Sequence, residues 1–171
     1  MGEVTLLELR LGNRQMADEV AGLAESIWTE HYTPIIGAKQ VRYMLDRFQS
    51  AEKVLEDIAA DGYRYFIACD GGKKVGYCAI KPDLESGGLF LSKLYVEKNS
   101  RGRGIARMML EKAISVAREN RLGHIWLTVN KRNVNSIEIY KRLGFVIVEE
   151  LVKDIGEGFV MDDYKMRMEI E

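Results

Sequence analysis

Hydrophobic and polar positions change period several times along this chain, and each change marks an element. Val4 to Arg10 alternates enough to predict a strand. Gly12-Asn13 then supplies a turn and a cap for a helix running to about Thr29 or Glu30, and Tyr32-Thr33-Pro34 is expected to stop it. After Gly37, Val41, Leu45 and Phe48 share one face of a second helical stretch. A shorter piece follows around Val54, Leu55 and Ile58 and ends near Gly62. These helices are expected to form a lid or wall.

From Tyr63 the period becomes that of strands. Tyr65 to Cys69 and Val75 to Ile80, joined by Asp70-Gly71-Gly72-Lys73, predict an antiparallel hairpin. Pro82 to Gly88 reads as a loop, and the mostly apolar Leu89 to Val96 as a central strand buried on both faces. A helix then carries Ile105, Met109, Ala113, Val116 and Ala117 at helical spacing and ends near Asn120 to Gly123. Ile125 to Val129 is a strand, Val134 to Leu143 a helix closed by Gly144, and Phe145 to Val152 another strand. A loop at Asp154 to Gly158 leads to a last strand, where Tyr164, Met166, Met168 and Ile170 alternate with polar neighbours. The order βααβββαβαββ predicts a mixed sheet flanked by helices.

Composition narrows the classes that fit this pattern. A length of 171 residues predicts one domain over 1–171, and 47% hydrophobic with 30% charged residues describes a globular chain. A formal net charge of -1 removes the basic footprint of a general nucleic-acid binder, so any anion site has to be local. No apolar run approaches a membrane span or a signal peptide, which makes the cytoplasm the default expectation. Cys69 and Cys78 with the distant His31 and His124 are too few for a zinc site, and reduced core thiols are expected.

The stretch from Ser92 to Ala106 runs strand, short turn and helix start, with Arg101-Gly102-Arg103-Gly104 at the turn. Glycines let backbone approach a ligand closely, the first helical N–H groups lack internal partners, and the helix dipole adds positive potential there. Arg101 and Arg103 can pair with phosphate oxygens, so a phosphate or pyrophosphate is the natural guest. The dinucleotide fingerprint fails, because Arg107 stands where its third glycine belongs and no acidic residue ends the next strand. No P-loop sequence exists anywhere in the chain.

Here the chain resembles the GNAT family of acetyl-CoA-dependent N-acetyltransferases. The family pattern Gln/Arg-x-x-Gly-x-Gly/Ala matches Arg101-Gly102-Arg103-Gly104-Ile105-Ala106 after a Leu-Tyr-Val strand end. A second pattern, Asn-x-x-Ala/Ser-x-x-x-Tyr, matches Asn133 to Tyr140 with Ser136 at the small position. The resemblance implies a GNAT-like α/β fold with a mostly antiparallel seven-stranded sheet. It also implies that the backbone of Arg101 to Ala106 cradles the CoA pyrophosphate and that the edge of Leu94, Tyr95 and Val96 pairs with pantetheine. Asn133 and Ser136 are then cofactor contacts, and Tyr140 is the acid that protonates the departing thiolate. Oxyanion donors would be backbone N–H groups near Leu94 to Val96.

Many members of the family carry a glutamate on the strand before the Leu-Tyr-Val segment, where Phe90 and Ser92 stand here. A water chain ending on Glu30, His31 or Glu97 is the remaining route for the amine's proton. Trp28-Thr29-Glu30-His31-Tyr32 and Asp154 to Tyr164 look similar to the PaiA-type spermidine/spermine acetyltransferase branch. Trp28, Glu30, His31 and Tyr32, with Asp162 and Asp163, would therefore receive a small amine such as a polyamine through cation–π and ionic contacts. Acetylation of a protein N-terminus or lysine, and a CoA-sensing module without turnover, are the competing expectations. A homodimer is compatible with the sequence.

Overall fold

A computed structural model describes residues 2–171. The chain folds as β1 (Val4–Glu8), α1 (Arg14–Ile36), α2 (Ala38–Phe48), α3 (Ala51–Ala59), β2 (Arg64–Asp70), β3 (Lys73–Asp83) and β4 (Gly88–Val96). It continues with α4 (Ile105–Glu119), β5 (His124–Asn130), α5 (Val134–Arg142), β6 (Val146–Gly156) and β7 (Phe159–Glu169). The strands form a seven-stranded sheet in the order β1-β2-β3-β4-β5-β7-β6, mixed and mostly antiparallel, with β4 parallel to β5. Among the described residues no helix is long and apolar enough to cross a membrane.

Four local expectations need correction. The expected loop from Pro82 to Gly88 shrinks to 84–87, because β3 runs through Pro82 to Asp83 and β4 starts at Gly88. Pro34 does not end the first helix, which runs on to Ile36. A proline deletes only its own N–H and crowds one carbonyl a turn back. Here Ile27 and Trp28 anchor the preceding turns in the core, and the Gly37 N–H closes the last turn on the Thr33 carbonyl at 3.0 Å. The second stretch is two helices, giving three between β1 and β2 where two were expected. Ser50 caps the second of them, its Oγ accepting the Lys53 N–H at 3.1 Å, so the chain restarts a helix at once. The expected loop at Asp154 to Gly158 is a two-residue hairpin turn at Glu157-Gly158, with φ of 53° and 78°. Two left-handed central residues match the twist of the flanking strands, which lengthens both β6 and β7.

Contacts divide the chain into two compact units, Met1–Lys81 with Lys93–Lys112, and Pro82–Ser92 with Ala113–Glu171. In the first, α1 to α3 bury Val20, Ala24, Val41, Leu45 and Val54, while β2 and β3 are buried from Tyr65 to Cys69 and from Val75 to Ile80. Both cysteines are free and buried here, and burial pushes the Cys78 thiol up to about 12. In the second, Leu89, Val116, Ala117, Ile125, Leu127, Ile137, Phe145 and Met166 are buried. Its strands register Leu89 with Ile125 and Phe90 with Trp126, and the rings of the latter pair stack at 4.1 Å.

One close approach inside the first unit sets where β4 can lie. A Cβ at Gly76 of β3 would stand 2.6 Å from the Tyr95 carbonyl oxygen, a backbone atom that cannot rotate away. Gly76→Ala should therefore destabilise the protein by about 1–3 kcal/mol. Gly22→Ala, at an exposed helical position with nothing near the added methyl, should be neutral or stabilising by up to about 1 kcal/mol. Urea unfolding of both variants checks this, and equal midpoints would mean that β4 can shift to make room.

Candidate active site

After β4 a single 3₁₀ turn, Lys98–Ser100, redirects the chain into the glycine turn that starts α4. Ser100 is buried, and its Oγ donates to Glu97 Oε1 at 3.0 Å; the same carboxylate accepts from Lys73 Nζ at 2.6 Å. Gly102 and Gly104 have φ of 78° and 77°, and no atom lies within 4 Å of where a side chain would sit on either. The turn therefore offers bare backbone beside the unpaired first N–H groups of a fifteen-residue helix. That arrangement fits a pyrophosphate.

Neither arginine of the turn is free. Arg101 donates through Nε to the Val96 carbonyl at 3.0 Å and through Nη2 to Glu30 Oε2 at 3.1 Å. Arg103 Nη1 donates to Asp70 Oδ2 at 2.5 Å and holds the Asp70 carboxyl below the usual carboxylate range. Lys98 Nζ stands 3.9 Å from Glu30 Oε1. Glu30, expected at an acceptor site, is thus a neighbour of the glycine turn.

The residues of α1 expected at an acceptor site meet β4 through rings. Trp28 and Tyr32, one turn apart, have centroids 4.4 Å from each other and 5.6 and 6.4 Å from Tyr95. Tyr77 lies 5.4 Å from Tyr95 on the β3 side, and His31 is edge-on to Tyr32 at 4.8 Å. Trp28 is buried and its Nε1 completes no hydrogen bond, although the indole lies close enough to Tyr77 to favour that phenol's ionised form. Burial outweighs this and holds the Tyr77 hydroxyl well above the ordinary phenol range.

Sequence reasoning missed the polar cluster beneath these rings. Lys93, 7% exposed, donates to the Phe48 carbonyl at 2.9 Å and to the Tyr65 hydroxyl at 2.6 Å, with Asp57 Oδ2 3.6 Å away. Tyr65 in turn donates to Asp57 Oδ2 at 2.6 Å, and Lys53 Nζ reaches Asp57 Oδ1 at 3.0 Å. Next to it Tyr77 donates to the buried Gln49 Oε1 at 3.0 Å. The one available signal was a lysine in the middle of an apolar strand. Burial pulls the Lys93 ammonium down to about 8 and, with Asp57, pushes the Tyr65 phenol far up.

The remaining expected residues belong to the second unit. Asn133 is 2% exposed and precedes α5, yet its side chain takes no capping bond. Ser136 and Tyr140 are half-buried along α5, and the Tyr140 ring meets Phe145 edge-on at 5.7 Å. Asp162 pairs with Lys131 at 2.8 Å, so it is not a free carboxylate. Asp163 is buried, and desolvation with the neighbouring Asp162 pushes its carboxyl up to about 6.

Comparison with known proteins assigns the family. Residues 22–145 match the Acetyltransferase (GNAT) family. Streptothricin acetyltransferase of Streptomyces lavendulae is 34% identical over 83 residues, which is 48% of this chain and 44% of that protein, so less than half of that relative is spanned. An N-acetyltransferase of Mycobacterium bovis with no characterised substrate is 26% identical over 77% of this chain and 83% of its own. The PaiA N-acetyltransferase of Thermoplasma acidophilum, solved with coenzyme A, superposes with a TM-score of 0.81 at 16% identity, covering 98% of this chain and 99% of that one. The chain belongs to the GNAT family, and with it to the acetyl-CoA-dependent N-acetyltransferases.

Lys93 generates a pH signature in stability. Its folded value near 8 lies below its ordinary 10.5, so between these two the unfolded chain holds the extra proton and stability rises with pH, by at most about 1.4 kcal/mol per unit. Below pH 8 both states are charged and the full burial cost is felt. Relative to Lys93→Met, the parent should therefore gain about 1–2 kcal/mol between pH 7.5 and 9.5. Tyr65 and Cys78 titrate alike in both proteins and cancel. Urea midpoints at the two pH values read it, and a difference independent of pH would mean that Lys93 keeps its ordinary affinity for protons.

Proposed function

We propose that this chain moves an acetyl group from acetyl-CoA to a small amine, a polyamine foremost, by direct transfer in a ternary complex. On this reading both compact units act as a single N-acetyltransferase domain over 1–171. The observation that carries the acceptor class is the ring cluster of Trp28, Tyr32 and Tyr95. Ring faces attract an ammonium through their quadrupoles.

When bound, acetyl-CoA supplies a thioester carbonyl open to attack by a neutral amine. The chain's own residues do the rest. The backbone N–H groups from Gly102 to Ala106 hold the pyrophosphate, and Leu94, Tyr95 and Val96 align the pantetheine arm and supply the oxyanion donors. Asn133 and Ser136 contact the same arm. Tyr140 gives its proton to the departing sulfur, a transfer for which a phenol is suited. Phe90, stacked on Trp126, offers no base, so the amine's proton leaves by water toward Glu30, His31 or Glu97.

Release of free thiol from acetyl-CoA across polyamines, aminoglycosides, amino acids and peptides tests the acceptor. Spermidine should exceed a matched monoamine in kcat/KM, and the advantage should shrink as salt rises, because the attraction is partly exposed and screened. Comparable monoamine rates, or a preference indifferent to salt, would remove the polyamine and leave the acetyltransferase.

Tyr140→Phe keeps the ring against Phe145 and deletes the acid. Turnover should fall about 10²- to 10⁴-fold while coenzyme A affinity hardly changes. Unchanged turnover would leave Tyr140 as a packing residue of α5.

A further inference from the structure

The seven-stranded sheet ends at β1 on one side and at β6 on the other. β1 has five residues, whereas β6 has eleven and is exposed on both faces over most of its length. Its apolar side chains stand open to solvent, with Val146 60% and Val152 72% exposed and Val148 exposed between them. The outer edge of such a strand also presents a row of N–H and C=O groups that its own sheet does not pair. An edge that is long, apolar and open in its backbone is complementary to another strand.

The charges along β6 select which strand. Its pairing with β7 is regular from Glu149 to Asp154, between irregularities at Ile147/Glu149 and Asp154/Gly156. Glu149, Glu150, Lys153 and Asp154 all lie in that regular run. Glu150 has Lys131 at 3.6 Å, but Lys165, opposite Glu149, turns its ammonium to the Trp126 ring at 4.5 Å, and Lys153 stands opposite Met161. Laid antiparallel on a copy of itself, the run can place a carboxylate opposite Lys153 in three registers. Pairing Asp154 with Lys153 centres on the irregular end of the strand, and pairing Glu150 with Lys153 sets Glu149 against Asp154, like charges directly opposite. Pairing Glu149 with Lys153 has neither fault. It puts Leu151 on the two-fold axis with an ion pair on either side, and it makes the two Val152 side chains diagonal neighbours across that axis.

We propose that β6 pairs antiparallel with β6 of a second copy of this chain about a two-fold axis at Leu151, Glu149 of each copy facing Lys153 of the other. Each copy uses the same edge, so the contact is self-limiting and makes a dimer. The interface is small, which implies a dissociation constant in the micromolar range.

Sedimentation equilibrium of the full chain reads the association. The parent should dimerise at micromolar concentration. Glu149→Lys and Lys153→Glu each oppose like charges twice and should each raise the dissociation constant about tenfold, while the double variant, which exchanges the two charges, should restore it. Both side chains are exposed in the single chain, so these variants should fold as the parent does. Leu151→Cys under a mild oxidant should link two copies through a disulfide, because residues directly opposite across the axis stand about 5 Å apart. Val146→Cys should not, since its two copies lie about 30 Å apart in this register. Cys69 and Cys78 are buried and stay out of the reaction. A parent that remains monomeric up to millimolar concentration would overturn the dimer and leave the charged residues as guards of the edge. Dimers whose dissociation constant ignores the charge exchange, or cross-linking at position 146 as efficient as at 151, would overturn the register.

Discussion

An ammonium sealed from water has to be surrounded by acceptors, and much of the first unit's wall follows from meeting that demand at Lys93. Leaving such a charge unpaired costs several kcal/mol, so its partners are constrained in position as well as in kind. The Phe48 carbonyl is one of the acceptors that a helix end leaves unsatisfied, which requires α2 to end within a turn of that residue. Ser50 then caps a new helix at once, and Asp57 arrives two turns later with its carboxylate shared among Lys93, Tyr65 and Lys53. The break between α2 and α3 is in this sense a consequence of a lysine on β4.

The ring layer rests on the same arrangement. Gln49, the residue between the Lys93 acceptor and the α3 cap, receives the Tyr77 hydroxyl, which holds that ring against Tyr95. Tyr95 in turn meets Trp28 and Tyr32, while its carbonyl lies where only a glycine at position 76 can pass. Lys93 and Tyr95, on the same face of β4, are held by the polar cluster and the rings, and with the close approach of Gly76 to the Tyr95 carbonyl this leaves Leu94 to Val96 little freedom. On the proposed reading, where this strand presents its edge to a pantetheine arm, that rigidity would keep the arm aligned.

What the sequence displayed was local. Periodicity was enough for every strand, for the amphipathic helices and for the hairpin at Asp70 to Lys73, because each depends on neighbours a few residues apart. The glycine turn at 101–106 and the Asn133 to Tyr140 spacing were legible for the same reason. Pro34 misled because its cost is one local hydrogen bond, whereas the burial of Ile27 and Trp28 that outweighs it depends on tertiary packing. The Lys93 cluster stayed hidden because its partners lie 45 and 28 residues away in sequence. The arginines were expected to wait for phosphate, and only the fold brings Glu30 and Asp70, 71 and 33 residues distant, onto them.

Those pairings change what anion recognition means here. A chain with a net charge of -1 has little long-range pull on a polyanion, so on the proposed reading the attraction would come from Lys98, Arg101, Arg103 and the start of α4 within about a Debye length. Cations crowded that closely would repel one another, and Glu30 and Asp70 offset that repulsion in the free protein. On the proposed reading, a phosphate at the turn would share these cations with the two carboxylates, and its binding free energy would reflect that competition. A lone monoanion gains little from displacing a carboxylate that is already well placed. A pyrophosphate, with several oxygens able to reach both arginines and the bare N–H groups at once, would gain from each contact, so on the proposed reading the internal carboxylates would favour a polyphosphate over a lone monoanion.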